Sequence, residues 1–128
     1  MLRSLRPRLA DDVYAFCRLE DGRSIPQGTL GWFREAEGVT IILPINDAIA
    51  ANLDVEFEAA WIALGLDSAL DAVGLTAAVS GSLAAAGIPC NVVAACRHDH
   101  LFVPYSQAAA AMQVLAQMGA ATPDRIVS

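Results

Sequence analysis

A chain of 128 residues is long enough to bury a core without disulfides or metals, as one compact unit or as two half-size modules sharing a core. Its net charge of −6 argues against a nucleic-acid partner, because phosphate binding draws on Lys and Arg, and the few basic residues gather only weakly at Arg3, Arg6 and Arg8. Cys17, Cys90 and Cys96 are odd in number and lack C-x-x-C spacing, and two of them sit in apolar runs. Buried thiols in a reducing compartment fit that pattern, so a cytoplasmic location is expected.

Met1 to Arg8 alternates Leu with Arg and lacks the apolar core of a secretory signal. A short helix is expected over residues 2 to 9, with its basic residues on a solvated face. A strand follows near Val13 to Leu19, then a turn at Asp21-Gly22, strands near Leu30 to Glu35 and Val39 to Leu43, and a helix from about Asp47 to Asn52. Arg34, Glu35 and Glu37, around the turn between the last two strands, read as a solvated hairpin end or as polar groups offered to a ligand between modules.

Phe57 to Leu64 is rich in large apolar residues and predicts a strand, after which Ser68 or Asp71 can start a helix. Residues 72 to 96 carry no charge, a length that could cross a bilayer. The interruptions at Gly74, Gly81, Gly87 and Pro89 instead predict a buried helix feeding a buried strand, and no membrane partner. Leu75, Val79, Leu83 and Ala86 recur at near-helical spacing and define the helix's buried face. Gly87 predicts a left-handed C-cap, and Pro89 blocks continuation. Cys90 to Cys96 and His100 to Val103 are expected to pair across an Arg97-His98-Asp99 turn, before a helix over Ser106 to Met118 and a loose tail from Gly119.

Displacing the sequence by sixty positions aligns Thr40-Ile-Ile-Leu-Pro44 with His100-Leu-Phe-Val-Pro104. Asn46 and Ser106, two residues after each proline, are expected helix N-caps. The second half then reads βαββα, its final strand missing or supplied by the other half, and the first half lacks the long first helix. That order gives an α+β, ferredoxin-like antiparallel sheet with helices on one face.

The run Gly74-Leu-Thr-Ala-Ala-Val-Ser-Gly-Ser-Leu-Ala-Ala-Ala-Gly-Ile-Pro89, followed by Asp99-His100 and Val103-Pro104, resembles the ACT domain of amino-acid regulatory proteins. Within that superfamily it is most similar to small bacterial two-module proteins related to the arginine sensors called CASTOR. The resemblance implies two tandem ACT-like modules, residues 1–54 (truncated) and 55–118, with 119–128 as a tail. It implies an amino-acid site in the strand-to-helix loop, at Ser68, Asp71, Gly74, Leu75 and Thr76, and an acid at Asp99 facing the ligand's cationic end. A homodimer by sheet extension is also implied. Leu70-Asp71-Ala72-Val73 departs from the acidic residue, proline and glycine common in the family's loop.

On the residues themselves, the free N–H groups at a helix N-terminus suit an α-carboxylate, and Gly74 would allow close approach of a ligand or simply tight helix–sheet packing. A carboxylate at Asp99 would form charge-assisted bonds to an ammonium or guanidinium, or would bond its own backbone as a turn-former. Cys96, His98 and His100 could be written as a metal site or, with Asp99, as a triad. No fourth ligand cluster, nucleophile elbow or oxyanion loop accompanies them, so no metal, cofactor or catalytic residue is expected. Trp32, Phe33, Phe57, Trp61 and Phe102 are expected in the core. The expected function is a non-catalytic sensor that binds a small amino acid and biases an unknown protein partner; a ligand-free oligomerisation scaffold is the alternative.

Overall fold

A computed structural model describes residues 5–65 and 73–121. In chain order they form β1 (Pro7–Leu9), β2 (Tyr14–Leu19), β3 (Gly31–Glu35), β4 (Gly38–Pro44), α1 (Ile45–Ala50), β5 (Val55–Leu64), α2 (Val73–Ala85), β6 (Asn91–Ala94), β7 (Asp99–Pro104), a 3-10 turn (Tyr105–Gln107) and α3 (Ala108–Ala121). The chain divides into two compact units, Asp11–Ala59 and Met1–Ala10 with Ala60–Ser128. The fold is α+β and ferredoxin-like, with antiparallel strand pairing in each unit.

In the unit Asp11–Ala59 the strand order is β3-β4-β2-β5, with the first half of β5 used here. Ala15, Cys17 and Leu19 of β2, Ile41 and Leu43 of β4, and Ala48 of α1 are buried together. The alternation along β2 and β4 is the period-two pattern of a strand with one covered face. Among the described residues, 20–30 contain no helix, so this module has only the six-residue α1 over its core. Trp32 and Phe33, expected in the core, are 59% and 73% exposed, one on each face of the edge strand β3.

Gly38, which opens β4 after the hairpin turn, has φ +138, and a Cβ there would stand 2.9 Å from the Leu19 carbonyl oxygen. Gly38→Ala is therefore expected to cost about 1–3 kcal/mol through forced backbone strain. A lowered urea midpoint at unchanged slope would show it.

In the other unit the order is β1-β5-β7-β6. β1 pairs Pro7 with Leu64 and Leu9 with Ile62, so residues 7–9 are a strand and not part of the expected N-terminal helix. Pairing with the open edge of β5 satisfies backbone groups that a short helix would leave to water, and Pro7 tolerates the first position of an edge strand. β1 thereby takes the place of the last strand missing from the βαββα order. Ala60, Ile62, Leu64, Leu101 and Val103 face α2 and α3, meeting Leu75, Val79, Leu83, Ala111 and Leu115 in one core.

α2 ends in a Schellman motif. The Gly87 N–H donates to the Ala84 carbonyl at 2.9 Å and the Ile88 N–H to the Leu83 carbonyl at 2.9 Å, with Gly87 at φ +78. Ala86, expected on the buried face, is exposed, and Ile88 is buried in its stead, because the chain reverses at Gly87. Gly81 lies mid-helix, exposed, with nothing within 4 Å of the place an added Cβ would occupy. Gly81→Ala is expected to raise stability by about 0.5–1 kcal/mol, read as a higher thermal midpoint.

The sixty-position repeat is visible in the backbone. Pro44 (φ −56, ψ 140) and Pro104 (φ −54, ψ 135) each stand at the strand-to-helix switch, ahead of α1 and of the 3-10 turn that leads into α3. They are the N-cap residues in place of Asn46 and Ser106, and neither makes a side-chain cap bond. A proline ring already holds the φ that an N-cap needs, which moves the switch two residues earlier. At the other end, α3 continues through Gly119 to Ala121, into the region expected as a tail. No helix among the described residues is long and apolar enough to cross a membrane.

Candidate functional site

Asp99 is the first residue of β7, paired with Ala94, and the connection Ala95–His98 is closed by the Ala95 N–H donating to the His98 carbonyl at 3.0 Å. The expected turn at Arg97-His98-Asp99 is thus displaced toward Ala95, and Asp99 is strand. Strand alternation puts Asp99 on the side of Leu101 and Val103, facing the helices, where it is half-buried. His100 and Phe102 face the other side of the sheet.

Gly74 lies in the first turn of α2 and is exposed. Among the described residues nothing packs against that position, where a Cβ would meet nothing within 4 Å, and its backbone is not in the left-handed region. Leu75 is buried in the core and Thr76 is half-buried. Ser68 and Asp71 lie outside the described residues. β6 begins opposite Phe102, so the C-terminal end of α2 lies toward the far end of β7 and its N-terminal turn toward Asp99. The topology therefore brings the first turn of α2 and Asp99 to one end of this unit.

On the opposite sheet face, the Trp61 indole Nε1–H donates to His100 Nδ1 at 3.0 Å, and the rings are 5.7 Å apart. Trp61 also stacks on Phe102, with centroids 6.5 Å apart, and the His98 ring is 6.4 Å from that of His100. Phe102 is buried as expected, and Trp61 is half-buried. This cluster is not legible in the sequence, since its hydrogen bond joins residues thirty-nine apart through a register that strand periodicity alone does not fix. Because its Nδ1 accepts from Trp61, His100 does not present the carboxylate-oriented imidazole of a triad. Cys96 is exposed. Burial pushes the Cys90 thiol up, and burial, then Glu56 and Asp54, push up that of Cys17, so these two are inert packing groups. Among the described residues no group of three His, Cys, Asp or Glu is placed to hold a metal ion.

Two ACT-domain family models match the chain, one over residues 1–60 and one over residues 56–117. The chain belongs to the ACT-domain family. Its two tandem ACT domains overlap at β5, the strand that pairs with β2 through its first half and with β1 through its second. No curated protein matches it. Among solved structures, a Vibrio cholerae protein of unknown function, described as a possible transport protein, is 37% identical, covering 90% of this chain and 89% of its own, with a TM-score of 0.78. An Agrobacterium tumefaciens protein is 23% identical over 91% of this chain and 90% of its own, with a TM-score of 0.70, and shares the fold.

Proposed function

We propose that this ACT protein is a non-catalytic cytoplasmic sensor whose second module binds a small amino acid at the α2 N-terminal turn and Asp99. The observation that carries this reading is Gly74, an exposed glycine in the first turn of α2 with nothing among the described residues within 4 Å of the place a Cβ would occupy. The backbone N–H groups of that turn, at the positive end of the helix dipole, suit an α-carboxylate. Asp99 suits the ammonium or a cationic side chain. The kinship with arginine sensors suggested by Asp99-His100 and Val103-Pro104 makes arginine the first candidate.

Exposed Trp32 and Phe33 on the edge strand β3 support a homodimer by sheet extension, in which unpaired backbone groups meet a second copy. Ligand would then act by biasing association with a partner protein, since a ligand shifts only an equilibrium whose states it binds unequally. Thermal melting against the twenty amino acids tests the reading. One selective ligand, adding about 2.7 kcal/mol of apparent stability at a hundredfold excess over its Kd and losing its effect in Gly74→Val, is expected. A flat panel would favour the ligand-free scaffold.

A further inference from the structure

We infer that Trp61 and His100 form a proton-sensitive latch between β5 and β7, closed while the imidazole is neutral and released when it is protonated. The indole Nε1–H is a donor only, and it stands 3.0 Å from His100 Nδ1. Nδ1 must therefore offer a lone pair, which fixes the proton of neutral His100 on Nε2. A second proton can enter the ring only at Nδ1, the atom the indole occupies. Once it does, two N–H groups confront one another and the hydrogen bond is lost.

The surroundings set where this happens. Burial comes first and the neighbouring His98 second in holding the His100 imidazole below its ordinary 6.5, while Asp99 on the same strand works in the opposite direction. From β5 the facing group is Trp61 itself. The strand residues Asn91 to Ala94 of β6, and all of α2 and α3, contribute no charged side chain. The folded state thus binds this proton less readily than the unfolded chain. The stability this contributes is fully present above pH 6.5 and is lost as pH falls from there through the lower folded value. His100 adjoins Asp99, so release loosens the strand start that carries the candidate ligand acid. That last coupling rests on the proposed function, whereas the latch does not.

The test uses the full chain carrying Trp32→Phe, an exposed site, so that Trp61 is the sole indole of the two in the sequence. Its fluorescence is followed from about pH 8 to about pH 4, with far-UV circular dichroism as a control for unfolding, because protonated imidazole quenches a neighbouring indole. The expected result is one transition with a midpoint below 6.5 at constant secondary structure, absent in His100→Gln and moved upward in His98→Asn. The Trp61 indole N–H resonance should titrate with that midpoint, which serves even where His100→Gln fails to fold. No transition, a midpoint at or above 6.5, or a change that coincides with unfolding would overturn the latch. A protein that binds no amino acid yet still shows the transition would leave the latch standing while the sensor reading fails.

Discussion

Leu83→Ala is expected to lower the unfolding free energy of the protein by about 2–5 kcal/mol, the largest stability effect that a single side chain in α2 can produce. Leu83 is fully buried, in the same core cluster as Val79, Ile88, Leu101, Val103 and Leu115. Truncation removes apolar surface and leaves a cavity that its neighbours cannot close, because β5 and β7 hold their positions by strand pairing on one side and α3 seals the other. Leu83 is also the residue whose carbonyl receives the Ile88 N–H in the helix stop. Leu83 and Ile88 are buried in the same cluster, so the substitution also thins the core into which the exit of α2 is anchored. Chemical denaturation should show a large drop in midpoint. A change below about 0.5 kcal/mol, the scale of an exposed position, would contradict the packing described.

Asp99→Ala is expected to weaken amino-acid binding by about ten- to a hundredfold, the scale of one hydrogen-bonded charge removed at about 1.5–3 kcal/mol, while the unliganded protein keeps its stability. The separation of effects follows from placement. Asp99 is half-buried at the first position of β7, and its backbone, not its side chain, makes the pairing with Ala94. Calorimetric titration of the ligand found by melting, into wild type, Asp99→Asn and Asp99→Ala, measures it. Equal affinities in all three would remove Asp99 from the site.

Much of this architecture is written in local chemistry. The stop at Gly87 is legible because only a residue at ease with positive φ closes a helix that way, and the repeat is legible because a proline stands at both strand-to-helix switches. What escapes the sequence is whatever depends on a distant partner. β1 is three residues long and exists because the edge of β5 is there to pair with it. Trp32 and Phe33 sit on a strand with the composition of a core strand, and no periodicity reveals that it lies at the edge of the sheet. Asp99 follows His98 in a segment with turn chemistry, yet the hairpin register assigns it to the strand. Of the candidate site, Gly74 and Asp99 come to one end of the second module, while Leu75 commits its side chain to the core.

The central claim is that an amino acid sits at the first turn of α2 against Asp99, and amide chemical-shift mapping tests it most directly. Titrating the melting hit into isotope-labelled protein is expected to move the backbone resonances of Gly74, Leu75, Thr76 and Asp99 together along one binding curve, with the β3–β4 hairpin of the first module unmoved. Shifts centred on that hairpin, or none at Gly74 and Asp99 under saturating ligand, would contradict it.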